Sequence, residues 1–358
     1  MRVTKTVGEY QLGSGAISHL GDMLSPHRST SGPVVFFVDH YFENRNLIGK
    51  LPLENNDAMF FVDSTHEPTT QKIDSLKAQV RDQLGADISA VIAMGGGSTL
   101  DVGKAVANLL TNKGSAADYQ GWDLVENPGI FKIGVPTLSG TGAEASRTCV
   151  MMNVEKNLKL GMNSDFTVYN RLVLDPNLSA SVPHEQYFYT GMDTYIHCIE
   201  SLNGSFRNAM ADALSREALN LCREVFLSED MMSAENREKL MVASYMGGSA
   251  IGNSFVGVVH PLSAGLSMTL GIHHCRANCI VMTTMKDFYP AETEEFLAMA
   301  ERQGIIVEAG VSNNLTDQQH QSMYQGSIVH NKPLENALGE NFKNILNEEK
   351  VRNLFEQM

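Results

Sequence analysis

Residues 88–105 read ISAVIAMGGGSTLDVGKA, and the fold turns on how this stretch is read. Ile88 to Met94 is a short apolar run that ends at three glycines, as a buried strand does before a turn. Gly95, Gly96, Gly97 and Ser98 then lead into a helical pattern that carries Asp101. Glycines at a strand-to-helix turn let backbone N–H groups approach an anion, and the helix N-terminus adds partial positive charge. That is how a pyrophosphate is held. The spacing is not G-x-G-x-x-G, so the ordinary dinucleotide fingerprint is absent, and a tight structural turn is the alternative reading.

Outward from this stretch the same texture recurs. VVFFVD (34–39), AMFFVD (58–63) and FKIGVPT (131–137) are further compact strand-like runs. Between the second of these and residue 88, Ile73, Leu76, Val80 and Leu84 sit at helical spacing, with Gly85 as a stop. Short buried strands alternating with helices imply an α/β domain built on a parallel sheet covered on both faces. A second polar loop, Thr137-Leu138-Ser139-Gly140-Thr141-Gly142, also follows a strand, and two such loops favour a nucleotide. Asp39 closes the first strong strand. Its carboxylate can accept from a ribose 2′-hydroxyl and would repel a 2′-phosphate, which favours NAD over NADP; a helix cap is the plainer alternative.

After Leu174-Asp175-Pro176 the pattern changes to helix-period apolar residues, as in NAMADALSREALNLCREVF (208–226). The expected organisation is an α/β dinucleotide-binding domain over 1–180 and an all-helical, metal-binding domain over 181–358. A chain of 358 residues suits two domains. The balance of 27 basic and 41 acidic residues, a net −14, argues against a general nucleic-acid surface. Five cysteines without a C-x-x-C pair argue against a disulfide framework. The first twenty residues lack a signal-peptide run and no stretch is apolar enough to span a membrane, so a cytoplasmic enzyme is expected.

The helical half carries its own chemistry. In GMDTYIHCIE (191–200), Asp193 and His197 are four apart, so both side chains meet on one helix face. His260 follows, and then His273-His274-Cys275, all in glycine-flanked apolar sequence. A D-x-x-x-H alone is more often a structural helix pair. Joined to the later histidines, one carboxylate and several imidazoles suit Fe(II), Zn(II) or a similar ion.

These motifs together resemble the iron-dependent (group III) alcohol dehydrogenases, nearly end to end. The resemblance rests on Gly13-Ser14-Gly15-Ala16, GGGSTLDVGKA (95–105), PTLSGTGAEAS (136–146), Lys159-Leu160-Gly161, Asp175-Pro176, GMDTYIHCIE, the fourteen-residue step from His260 to His274, and Asn331-Lys332-Pro333. It implies Asp193, His197, His260 and His274 as metal ligands at the catalytic centre, with Fe2+ expected and Zn2+ the alternative. It implies that Asp39, Gly95, Gly96, Gly97, Ser98, Asp101, Thr137, Ser139, Thr141, Lys159 and Leu174 line a dinucleotide cleft between the domains. It also implies a homodimer paired through an N-terminal edge strand. In such a site the metal acidifies the alcohol and hydride passes to a nicotinamide held against it.

Four positions depart from the family pattern. Ala264 stands where many members carry a second histidine, a proton-relay candidate. Cys275 stands where glycine is usual after the last ligand. Thr194-Tyr195 replaces a commoner small-then-apolar pair. His273 is a candidate for the missing imidazole. Cys275 and Cys279, four apart, read either as a second metal pair or as small buried apolar residues, the latter being commoner.

Within the family, the whole chain is most similar to the bacterial branch acting on an acidic eight-carbon sugar, 3-deoxy-D-manno-octulosonate. That resemblance implies oxidation of the terminal C8 hydroxyl to an aldehyde, which a pathway aminotransferase would convert to the 8-amino sugar of lipopolysaccharide. A carboxylated substrate calls for a cation, and Arg147 and Arg207 are the candidates. NAD is the favoured electron acceptor, with direct use of dioxygen the alternative. An NAD-dependent dehydrogenase of another small alcohol or polyol, a lyase of the dehydroquinate synthase type and a non-catalytic binding protein of the same fold are the rival readings.

Overall fold

The computed structural model describes residues 4–28 and 32–358, which divide into two compact units, 4–138 with 143–181, and 139–142 with 182–358. In chain order the first unit contains β1 (Glu9–Leu12), α1 (Leu20–Arg28), β2 (Val34–Asp39), β3 (Ala58–Val62), α2 (Thr70–Leu84), β4 (Ala90–Gly95) and α3 (Gly97–Leu109). It continues with β5 (Gly121–Trp122), β6 (Lys132–Pro136), β7 (Thr148–Asn153), β8 (Leu158–Asn163) and β9 (Arg171–Leu174).

Six strands form one parallel sheet in the order β1-β9-β6-β4-β2-β3. β2 and β4 are buried at every position, as strands covered on both faces must be. Val34, Phe36 and Val38 join Ile92, Met94, Ile133 and Val135 in one apolar layer beneath Leu20 and Leu24 of α1. On the other face α3 lies against β4, and Gly103 is the residue that lets it: a Cβ there would stand 2.5 Å from that of Ala93.

The strand order reverses between β2 and β4, since β3 lies outside β2 while β6 and β9 lie beyond β4. Such a reversal leaves a crevice at the carboxyl ends of the two strands. Asp39 and Gly95 are the residues at those ends. The helix read over 69–85 appears as α2, capped by the Thr69 side chain at Lys72 N and closed by Gly85 at φ 77°.

The strand-and-helix alternation of the sequence does not predict a second sheet. Residues 148–163 form an antiparallel hairpin, β7–β8, extended by β5 into a second, three-stranded sheet. β7 buries every second residue and β8 does so up to Gly161, so both lack the continuous apolar run that marks the main sheet.

The second unit is helical: α4 (His184–Asn203), α5 (Ala209–Phe226), α6 (Ala234–Asn253), α7 (Val259–Leu270), α8 (His274–Met282), α9 (Pro290–Arg302), α10 (Asp317–Ile328), α11 (Asn331–Leu338), α12 (Phe342–Ile345) and α13 (Glu348–Phe355). α4 is its axis, buried without interruption from Tyr187 to Ser201. Gly191 gives the close approach that this requires, because a Cβ there would come within 2.5 Å of the Phe226 ring.

The loop Ser139–Gly142 groups with the helical unit although it precedes residue 182 in the chain. Ser244 Oγ accepts from Gly140 N at 2.8 Å, and Thr194 Oγ donates to Gly140 O at 2.7 Å. At Gly140 (φ 148°) a Cβ would fall 1.7 Å from Thr190 O, so only glycine seats the loop on α4. Among the described residues no helix is long and apolar enough to cross a membrane.

Candidate metal centre

α4 carries Asp193 and His197 one turn apart in the buried middle of the helical unit. His260 enters from the first turn of α7, and His274 is the first residue of α8. Gly271, in the left-handed region at φ 70°, ends α7 and lets the chain turn back toward α8. Three helices therefore deliver four side chains to one place.

Asp193, His260 and His274 each offer one ligand atom, all within 4.8 Å of one another. Asp193 Oδ1 is 3.2 Å from His260 Nε2 and 3.5 Å from His197 Nε2, and Oδ2 is 3.7 Å from His274 Nε2. The rings of His197 and His260 stack at 4.6 Å. The fold thus brings together the four side chains that the family resemblance implies.

The electrostatics suit a cation. Asp193 is 1 % exposed, and among the described residues each of its ion pairs is with a histidine. Burial alone would raise its carboxyl pKa, but His197, His274 and His260 outweigh that and hold it well below the usual carboxylate range. Burial lowers His197 to about 4, so its imidazole is neutral and able to donate a lone pair. His260 is pushed up to about 9: burial opposes this, and the carboxylates of Glu200 and Asp193 override it. A buried carboxylate faced by imidazoles is a donor set that fits Fe(II) or Zn(II).

Three neighbours surround the ligands, of which Glu200 and Asn278 carry no expectation from the sequence. Glu200 is fully buried on α4; one oxygen takes His260 Nδ1 and the other accepts Val259 N at 2.6 Å. This orients the imidazole and leaves Nε2 facing Asp193. Asn278, also fully buried, donates Nδ2 to Asp193 Oδ1 at 2.7 Å. Cys275 Sγ stands 3.7 Å from Asp193 Oδ2. Spacing held a signal for the first two: Glu200 lies seven residues after Asp193 on α4, and Asn278 four after His274 on α8. Cys279 faces the Tyr189 carbonyl instead, so Cys275 and Cys279 have different partners.

In the first unit, Asp39 caps the turn that follows β2, accepting Tyr41 N at 3.0 Å and Ser64 Oγ at 2.8 Å. Thr99 of α3 reaches the same carboxylate at 3.5 Å, so the ends of β2 and β4 converge on it. Gly96 caps α3 without any side-chain acceptor, and Gly97 and Ser98 begin a helix whose first turn carries no acid of its own. Thr137 N continues the sheet by donating to Gly95 O at 2.9 Å, and Leu174 is buried at the end of β9.

Other candidates have structural partners. Asp101 accepts Val150 N at 2.8 Å and lies beside the buried Lys104, which donates to Thr148 O at 2.7 Å; together they hold β7 against α3. Lys159 is buried in an ion pair with Glu67 at 2.6 Å. Ser139, and Thr141 with it, belong to the loop seated on α4. His273 caps the start of α8 by its backbone position. The two arginines read as substrate cations are engaged elsewhere. Arg147 pairs with Asp165 at 3.0 Å and with Asp123, and Arg207 is exposed with a forked contact to Asp212 at 2.6 and 3.2 Å. Guanidinium groups already matched to carboxylates are poor receptors for another one.

Two family models cover most of the chain. Iron-containing alcohol dehydrogenase matches residues 8–176, and the C-terminal region of the Fe-containing alcohol dehydrogenase family matches 187–325. The chain belongs to the iron-containing alcohol dehydrogenase family. Among curated relatives, sulfoacetaldehyde reductase of Bilophila wadsworthia is 30 % identical over 246 residues, 67 % of this chain and 62 % of that protein. NAD-dependent methanol dehydrogenase of Bacillus methanolicus is 27 % identical over 303 residues, 82 % of this chain and 77 % of that one. The chain thus spans less than two thirds of the Bilophila protein's length. A solved 1,3-propanediol oxidoreductase superposes with a TM-score of 0.86 over 99 % of both chains at 19 % identity. Sulfoacetaldehyde reductase from Bifidobacterium kashiwanohense, in complex with NAD+, gives 0.82 over 99 % of this chain and 98 % of that chain at 21 % identity, a likeness of fold.

Proposed function

We propose that this protein oxidises a primary alcohol to an aldehyde, passing hydride to NAD+ and releasing one proton. The observation that carries the reading is the buried Asp193–His260–His274 group, with His197 stacked on His260, in a chain of this family. A divalent ion held by Asp193, His197, His260 and His274 would supply Lewis acidity, lowering the pKa of a hydroxyl in its reach. Glu200 keeps the His260 ring oriented for that task. Burial of Asp193 and His197 keeps water from their part of the site.

For the acceptor, the support is the strand reversal between β2 and β4 and the uncapped N-terminus of α3, an arrangement that receives a pyrophosphate. Asp39 at the end of β2 would disfavour a 2′-phosphate, which supports NAD over NADP. The relative from Bacillus methanolicus is named as NAD-dependent.

For the substrate, the reading rests on the resemblance drawn from the sequence to the branch acting on 3-deoxy-D-manno-octulosonate, and takes the C8 hydroxyl of that acidic sugar, in lipopolysaccharide 8-amino sugar biosynthesis. The experiment is a metal-reconstituted assay on this sugar and on neutral primary alcohols, reading aldehyde and NADH together under anaerobic conditions. Turnover of the acidic sugar with one NADH per aldehyde is expected. Turnover that needs dioxygen and ignores NAD would remove NAD as the acceptor, and preference for a neutral diol would remove the sugar.

A further inference from the structure

From the geometry around Asp193 Oδ1 we infer that Asn278 is a positioning residue of the metal centre: its amide holds the ligand carboxylate by one oxygen and so sets how strongly the ion is bound. The inference rests on the reading that Asp193, His260 and His274 hold a divalent ion.

Among the described residues, three groups face Oδ1: His260 Nε2 at 3.2 Å, His197 Nε2 at 3.5 Å and Asn278 Nδ2 at 2.7 Å. An imidazole that ligates a metal presents a lone pair and has no proton to donate from that nitrogen. Asn278 is then the one of the three that can hydrogen-bond to Oδ1 while the histidines serve as ligands. Which amide atom faces the carboxylate is decided by chemistry, because an amide oxygen at 2.7 Å from Oδ1 would set acceptor against acceptor. Nδ2 also lies 3.3 Å from both His260 Nε2 and His274 Nε2, so one amide stands at the junction of three ligands.

The side chain has little freedom to sit elsewhere. Asn278 is fully buried, one turn beyond His274 on α8, with Cys279, Ile280 and Val281 packed into the core beside it. A side chain that hydrogen-bonds to a ligand carboxylate commonly contributes ten- to a hundredfold in metal affinity. The same helix thus supplies one ligand, His274, from its first residue and the restraint of another, Asp193, from its fifth.

The test measures Co(II) and Zn(II) affinity by chelator competition, together with the visible spectrum of the Co(II) protein and thermal melting in chelator. Three proteins are compared: wild type, Asn278→Ala and Ile280→Ala, the last a packing variant on the same helix that leaves the carboxylate alone. The expected result is a loss of about ten- to a hundredfold in affinity for Asn278→Ala with an altered Co(II) spectrum. Ile280→Ala should lower the melting temperature while keeping affinity within about twofold of wild type. Asn278→Ala with wild-type affinity and spectrum, or with a loss matched by Ile280→Ala, would overturn the positioning role alone. Wild-type protein that binds neither ion at one per chain would overturn the metal reading and this inference with it.

Discussion

His260 stands between two carboxylates, with Nδ1 on Glu200 and Nε2 toward Asp193, and this gives the centre a defined response to pH. Its pKa is raised to about 9, so below that pH a metal must displace a proton from it. Apparent metal affinity should therefore rise about tenfold per pH unit from pH 7 and level off near 9, as read by chelator competition. Glu200→Gln removes the larger of the two carboxylate influences. The levelling point should drop by more than about one unit, with about ten- to a hundredfold weaker binding at high pH. An unchanged profile would show that Glu200 does not govern the imidazole. The metal-free protein gives the matching stability change. A histidine whose folded pKa is raised stabilises the fold below pH 6.5, and that contribution is lost as pH rises through about 9. His197, lowered to about 4 by burial, has the opposite sign: its contribution is lost as pH falls from 6.5 toward 4. Acid release of metal is accordingly a property of His260 before it is one of His197. Asp193→Ala should abolish both metal binding and turnover, since the buried imidazoles then lose the charge they share.

At the scale of elements, the loop Ser139–Gly142 and α4 act as one piece. Thr194 and Ser244 clamp the loop from two helices, and Thr194 is the immediate neighbour of Asp193. Gly140→Ala would drive a Cβ into Thr190 O and expel the loop, a loss of more than about 4 kcal/mol on denaturant unfolding. Thr194→Val keeps the shape and leaves Gly140 O without its donor, costing about 1–3 kcal/mol. If the two variants destabilise equally, the steric account of Gly140 is wrong. The unusual Thr194-Tyr195 pair thereby acquires a physical reason. Thr194 holds the loop, while the Tyr195 hydroxyl donates to Glu295 at 2.7 Å, the acid that also binds Arg223.

For the whole molecule, the pairing of individual arginines bears on an acidic substrate more than the net charge of −14 does. Arg147 and Arg207 are matched to carboxylates on the protein, so Arg147→Ala should change KM for an acidic sugar and for a neutral alcohol by the same factor. A selective rise for the acidic sugar in steady-state assays would restore Arg147 as a substrate contact. Arg207→Ala, at an exposed pair, should leave both nearly unchanged.

Local pattern was enough for the alternation of strands and helices, the glycine turn at 95–97, the stop at Gly85 and the Asp193–His197 pair, whereas the choice of His260 and His274 came from the family resemblance. Each of the former is written in nearest-neighbour chemistry: a period of two or of 3.6, a residue without a Cβ, a carboxylate and an imidazole one turn apart. The hairpin over 148–163 escaped because its strands alternate weakly and depend on pairing with each other and with β5. Tertiary structure alone decided the rest. It brought Glu200 to His260 across sixty residues and Asn278 to Asp193 across eighty-five, and it assigned the loop at 139–142 to the helices. It also turned Arg147, Lys159 and Asp101 toward partners within their own unit. The physical reason is that a side chain's role depends on which buried groups it must satisfy, and those partners are chosen by the packing of distant elements.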